Sequence, residues 1–203
     1  MNSRDRILRA LRATRHEPTQ APAPFGPALR YAEPSRQFVE SFRAVGGEAL
    51  CFASRELLPQ ALSGLAVVNS AERRCSLLPD LVAGNVELET IRDPHELEDL
   101  DVIIAQAQFG VAENGALWID DSELAQRVAL FIAQHVVFVL EASAVVDNMH
   151  QAYARLTFSE PGFGVFVSGP SKTADIEQSL VIGAHGPRSA TVLLWDETDA
   201  GAG

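Results

Sequence analysis

The sequence predicts an α/β fold with a largely parallel central sheet, and three observations carry that prediction. From about Pro34 onward, short apolar runs alternate with segments of helical period. That is the pattern of strands joined by crossover helices. The apolar runs, such as AVVNS, DVIIAQAQF and HVVFVLEA, are rich in valine and isoleucine, which suit strands. At 203 residues, 47% hydrophobic and 21% charged, the chain has the size and balance of a globular domain with a core of its own.

The elements follow in order. The first segment reads as a helix, with Ser3 as cap and Ile7, Leu8 and Leu11 at helical spacing. This amphipathic arm is expected to pack on the body or on a second subunit. Five prolines between Pro18 and Pro34 mark an extended connector, since proline fixes φ and removes a donor. A helix at Ser35–Val45 carries Phe38, Val39 and Phe42 on one face and stops at Gly46-Gly47. EALCFA reads as a strand, SRELLPQALSGL as a helix that Pro59 interrupts or that has Pro59 near an end, and AVVNS as a strand. Residues 71–83 read as a helix, and VELET and DVIIAQAQF as strands. Asn114-Gly115 between QAQFGVAE and ALWID predicts a two-residue type I′ hairpin turn. RVALFIA, HVVFVLEA, GFGVFVSG and SATVLLWDE read as strands, and Ala142–Leu156 as one helix. The organisation expected is a helix and connector over 1–33, a domain over 34–198, and a frayed tail over 199–203.

Composition excludes several function classes. Sixteen basic residues against 27 acidic ones leave a net charge of −11, which disfavours nucleic acid and anionic membranes as partners. Cys51 and Cys75 are too few for a four-cysteine cluster, form no CxxC, and read as buried reduced thiols. The five histidines form no HExxH, so no metal is expected. His95 lies among acids in PHELEDLD, which reads as a solvated helix face. No P-loop or strand-following GxGxxG supports a nucleotide, and no cofactor is expected. No export signal and no apolar stretch of about 20 residues is visible, so a cytoplasmic protein without a membrane span is expected.

The stretch Val167–Pro187, VSGPSKTADIEQSLVIGAHGP, is the richest in chemistry. It reads as strand, small-residue turn, helix and loop. Ser171 or Thr173 would cap the helix, whose free N–H groups, with the Lys172 ammonium, would hold a small anion. Alternatively, Asp175 and Glu177 satisfy the helix dipole and the hydroxyls cap without a ligand. His185, between Gly183 and Gly186, is either a proton carrier or a turn residue bonded to a carbonyl or to Asp175. Ser171, Asp175 and His185 lack the Gly-x-Ser-x-Gly elbow of a hydrolase triad. Glu113, at the hairpin tip, is either a general base or an exposed turn acid.

These segments together resemble a known family. SGPSKTADIEQSLVIGAHGP is similar to the Gly-Pro-Ser-(Arg/Lys)-Thr-Ala-Asp-Ile-Glu and Gly-x-His-Gly-Pro block of the LUD-domain proteins, and GVAENGALWIDD to their hairpin. Asn114 stands where threonine is common. The resemblance is specific over about 108–196, and the ILRALR helix looks like the lactate-utilization protein C branch. It implies a three-layer α/β/α sandwich similar to phosphosugar isomerases and CoA transferases. It also implies a cluster-free component of bacterial L-lactate oxidation to pyruvate, acting with iron–sulfur partner proteins. Its small anionic ligand would sit among Gly115, Gly169, Ser171, Lys172, Thr173 and Gly186, with Glu113, Asp175 and His185 as catalytic candidates. The alternative is a stand-alone transferase, isomerase or hydrolase acting on a small carboxylate or phosphorylated substrate.

Overall fold

A computed structural model describes residues 2–14, 28–122, 124–156, 162–176 and 179–197, with backbone alone at 174–176, 179 and 180. Most of the proline connector, the 198–203 tail and the Asp175 side chain therefore lie outside the described residues.

Helix α1 (Ser3–Ala13) is capped by Asn2 rather than Ser3, the Asn2 side chain accepting from the Asp5 N–H. Helix α2 (Pro34–Ala44) buries Phe38, Val39 and Phe42 and leads through Gly46, at φ +84°, into strand β1 (Glu48–Phe52). Helices α3 (Leu58–Gly64) and α4 (Ala66–Asn69) follow, then strands β2 (Arg74–Ser76), β3 (Val102–Gln106), β4 (Phe109–Val111) and β5 (Ala116–Asp120). The rest is α5 (Ala129–Ile132), β6 (His135–Glu141), α6 (Met149–Arg155), β7 (Gly164–Val167), β8 (Lys172–Ile176), β9 (Ser179–Ile182) and β10 (Ser189–Trp195).

The central sheet has the order β1-β10-β6-β3-β2, and every pairing in it is parallel. Its interior strands alternate cleanly between two cores, as a period of two requires. Ile103, Val136, Phe138, Leu140 and Val192 face the core shared with α2 and β5. Val102, Ile104, Val137, Val139 and Leu193 face the core shared with α3 and α4. From β1 to β2 the chain crosses the whole sheet in one direction, with α3 and α4 on one face. From β2 to β10 it returns: Leu78 and Leu81 still pack with α3 and α4, and Leu88, Leu97, Leu130 and Val145 of the later connections pack on the other face. Right-handed crossovers demand this switch when the direction of travel reverses. The result is the three-layer α/β/α sandwich. A smaller antiparallel sheet, β4-β5-β7, lies in the connections, and Phe109, Trp118 and Phe166 cluster on it, the last two tilted against each other with centroids 4.7 Å apart.

Several local expectations fail for identifiable reasons. AVVNS is the short helix α4, because Val68 turns into the second core. Residues 71–83 contain β2 instead of a helix. The Asp101 carboxylate takes the Glu72 and Arg73 N–H groups, and Cys75 then pairs beside Ile103. VELET holds a 3₁₀ turn at Leu88–Thr90, and RVALFIA is α5, which buries Ala129 and Leu130. Ala142–Leu156 is not one helix. It is a 3₁₀ turn at Ala142–Ala144, an extended step at Val146 bridged to Val111, and α6, capped afresh by Asn148. The β4–β5 connection is a four-residue turn rather than a two-residue one, closed by the Gly115 N–H donating to Val111 O at 2.9 Å, with Gly115 at positive φ (+65°). His95 sits on a 3₁₀ turn, paired with Asp93. Of the two free cysteines only Cys75 is buried, and burial pushes its thiol up to about 11; Cys51 is exposed.

Phe42 is fully buried and stacks on Phe38 at 5.7 Å between helix and sheet. Phe42→Ala is expected to lower unfolding stability by about 3–5 kcal/mol, read from urea denaturation.

Candidate functional site

After Gly169-Pro170 the chain enters β8, and no helix follows. β8 pairs antiparallel with β9, Lys172 opposite Ile182 and Thr173 opposite Val181. The β-branched content of Thr173, Ile176, Val181 and Ile182 favours this pairing. The free N–H groups of a helical first turn are therefore absent, and Ser171 and Thr173 are not caps. Ser171 is instead used through its backbone: its N–H donates to Pro187 O and its carbonyl accepts from the Gly183 N–H, each at 2.9 Å. A Cβ on Gly186 would meet Ser171 Cβ at 3.0 Å, so the 183–187 loop lies flat on Ser171.

This clasp is built at the amino edge of the central sheet. β6 and β10 begin beside one another there, His135 in register with Ser189 and its Nδ1 2.8 Å from Ser189 Oγ. The Arg188 N–H donates to Gln134 O at 2.8 Å. The turn between α2 and β1 lies at the same edge. Lys172 Nζ donates to Val45 O, and Gly169, at φ +72°, passes so close that a Cβ would come within 2.6 Å of that oxygen. The hairpin tip joins from the side. Ser168 Oγ donates to Asn114 O at 2.8 Å, and a Cβ on Gly115 would meet Phe42 N at 2.6 Å.

The structure thus brings Gly115, Gly169, Ser171, Lys172 and Gly186 into one assembly, with Thr173 half-buried beside it. His185 is exposed on the loop. Glu113 is turned elsewhere: its carboxylate accepts the Met149 N–H at 2.9 Å, at the start of α6. There it joins Asp147, which accepts from the Tyr31 N–H and from Gln151 Nε2, both at 2.9 Å. The Tyr31 N–H, with Gln151 beside it, holds the Asp147 carboxyl below the usual carboxylate range.

Sequence reasoning missed His135, Arg188 and Ser189 at this edge. Burial, helped by the Arg188 charge, lowers the His135 pKa, with Asp101 opposing. The signal lay in HVVFVLE and SATVLLW: two parallel strands of equal length place their first residues side by side. Also missed were two clefts at the carboxyl edge, where open α/β sheets usually hold ligands. One, of about 220 Å³, is lined by Gln106, Gln108, Asp120 and Ser122. The other, of about 400 Å³, lies over the ends of β1 and β10. Among the described residues no three His, Cys, Asp or Glu side chains are grouped to hold a metal.

Gly169→Ala forces a side chain against Val45 O at positive φ and is expected to destabilise by about 1–3 kcal/mol in denaturant titration. Gly64→Ala, with nothing within 4 Å, is expected to stabilise by about 0.4–1 kcal/mol. The Asp147 pKa is lowered on folding, so its hydrogen bonds contribute fully above the unfolded pKa of about 3.9. That contribution is lost as pH falls through the lower folded value. Asp147→Asn is expected to flatten the acid limb of stability against pH and leave its neutral plateau little changed in slope.

The LUD domain family model matches residues 68–195. The lactate utilization protein C of Bacillus pumilus is 35% identical over 97 residues, covering 45% of this chain and 40% of that protein. The lactate utilization protein C of Shouchella clausii is 32% identical over 111 residues, 52% of this chain and 48% of that protein. An uncharacterized protein of Neisseria meningitidis is 30% identical over 140 residues, 68% and 59% of the two chains. The chain thus spans about half the length of the curated relatives it matches. The crystal structure of a DUF162 family protein from Deinococcus radiodurans is similar with a TM-score of 0.61, over 83% of this chain and 99% of that one, at 18% identity. That likeness concerns the fold alone. With residues 68–195 matched, well over half its length, the chain belongs to the LUD-domain family.

Proposed function

We propose that the chain serves bacterial L-lactate utilization, the oxidation of L-lactate to pyruvate, as its cluster-free component. It acts in the cytoplasm with iron–sulfur partner proteins and takes a small anionic ligand at the amino-edge clasp. The observation that carries this reading is the similarity, at 32–35% identity, to proteins named lactate utilization protein C. With two cysteines in the whole chain, a four-cysteine cluster has to come from a partner. Among the described residues no helix is long and apolar enough to cross a membrane.

In this reading Lys172 is the anion's counter-charge. Its ammonium is exposed and rests on a neutral carbonyl, and a carboxylate or phosphate offers a charge-assisted bond about twice as strong. Ser171 and Thr173 orient the anion through their hydroxyls. Gly115, Gly169 and Gly186 bring backbone close enough to line the site. His185 and Asp175 are the proton-transfer candidates. Glu113 acts by holding the hairpin tip on α6.

Deleting the gene from its host is expected to abolish growth on L-lactate, and plasmid-borne Lys172→Ala to restore it poorly at matched protein level. Unimpaired growth of the deletion strain refutes the lactate role. Lactate, pyruvate or phosphate at about 100 times its Kd should raise stability by about 2.7 kcal/mol in a thermal shift experiment, and the shift should vanish in Lys172→Ala. Turnover of any of them by the purified chain alone would favour a stand-alone enzyme.

A further inference from the structure

Helix α1 and the carboxyl-edge groove are each incomplete, and their chemistries match. α1 has 11 residues and buries none of them. Ile7 and Leu11, one turn apart on the same face, are 57% and 63% exposed, with the half-buried Leu8 beside them. An isolated helix of that length is marginal in water, because nucleation is costly and packing normally supplies most of the stability. The Asn2 cap and the Arg12 charge in the last turn add only about 1–2 kcal/mol between them. α1 therefore calls for a surface that covers Ile7 and Leu11. It carries four arginines against one aspartate, net +3 in a chain of net −11.

The groove supplies the complement. Val39, Phe52, Ala53, Ala142, Leu194 and Trp195 line it, where the parallel strands β1 and β10 end. Its volume of about 400 Å³ accommodates a short row of aliphatic side chains. Acids surround it. Asp196 and Arg36 are part of its wall, Glu141 ends β6 in register with Trp195, and Glu33 and Glu40 flank Arg36 in ion pairs at 3.4 Å, which leaves the acids in excess of the single cation. An apolar floor with an acidic rim fits a basic amphipathic helix laid in with anchors at i and i+4.

We propose that α1 of one chain docks into this groove on a second copy of the same chain. Each copy offers one helix and one groove, so two reciprocal contacts close a two-fold dimer. A membrane is a poorer occupant. Three large apolar side chains bury little in lipid, and the acidic body is repelled by anionic headgroups. The proposal is independent of the lactate reading, which concerns the opposite edge of the sheet.

Cys51 lies in the groove and reports on its cover. The test compares the full chain with Ile7→Asp/Leu11→Asp, substitutions outside both cores. Sedimentation velocity from about 1 to 100 μM, the range in which a micromolar dimer assembles, gives the oligomeric state. Iodoacetamide labelling gives the accessibility of Cys51. The wild type is expected to dimerise, and at about ten times its dissociation constant to label roughly fivefold more slowly than the monomeric variant. Ala53→Arg, which adds a second cation to the groove beside Arg36, is expected to weaken the dimer in the same way. A monomer throughout overturns the proposal; if Cys51 is still protected in it, α1 covers its own groove. A dimer that survives both substitutions places the interface elsewhere and also overturns it. So does α1-dependent sedimentation with phosphatidylcholine–phosphatidylglycerol vesicles from a chain that stays monomeric.

Discussion

A parallel sheet has to be covered on both faces, and this requirement organises the molecule. β3, β6 and β10 are apolar on alternate sides and run in one direction, so each needs a crossover to return the chain. The crossover from β1 to β2 covers one face with α3 and α4. Those from β2 to β10, beyond Leu81, cover the other, sharing it with α2. α2 and β1 precede the matched family range, yet β1 completes the sheet beside β10 and Phe38 and Phe42 fill the first core.

The amino-edge clasp follows from that arrangement. α2 runs antiparallel to β1, so its carboxyl end, Val45 and Gly46, lies at the edge where β6 and β10 begin. The 168–172 segment crosses this edge with its backbone pressed on Val45, and the 183–187 loop folds back over it. Glycines at 169, 183 and 186 are explained by contact before any ligand is considered. Lys172 and Ser171 perform structural work at the same place, so loss of a function through them has to be separated from loss of the clasp. The opposite edge, with its two clefts, has the more usual position for ligands in open sheets.

The parallel strands were legible because they are continuous apolar runs bounded by turn residues. HVVFVLE and SATVLLW are strands to within two residues of expectation, and α2 with its glycine stop is within one. Short segments were not legible. AVVNS and RVALFIA have strand composition, but four to seven apolar residues suit either state, and contact with a core decides. The failure at 172–176 is of the same kind. Ser, Thr and Lys after Gly-Pro make a plausible helix start, while pairing with 179–182 is a non-local choice that local propensity does not reveal.

By itself the sequence determined the α/β class, the sheet-forming strands, the absence of enough cysteine for a cluster, and the family resemblance, since these depend on composition, period and short motifs. Only the tertiary structure decided which edge the 168–187 block occupies, that Glu113 faces α6, and that Ile7 and Leu11 of α1 are exposed. Those facts depend on where distant segments meet: Val45 with Lys172, Asn114 with Ser168, Glu113 with Met149. Each joins residues 36 to 127 positions apart, a range over which nothing in the local pattern of side chains specifies the partner.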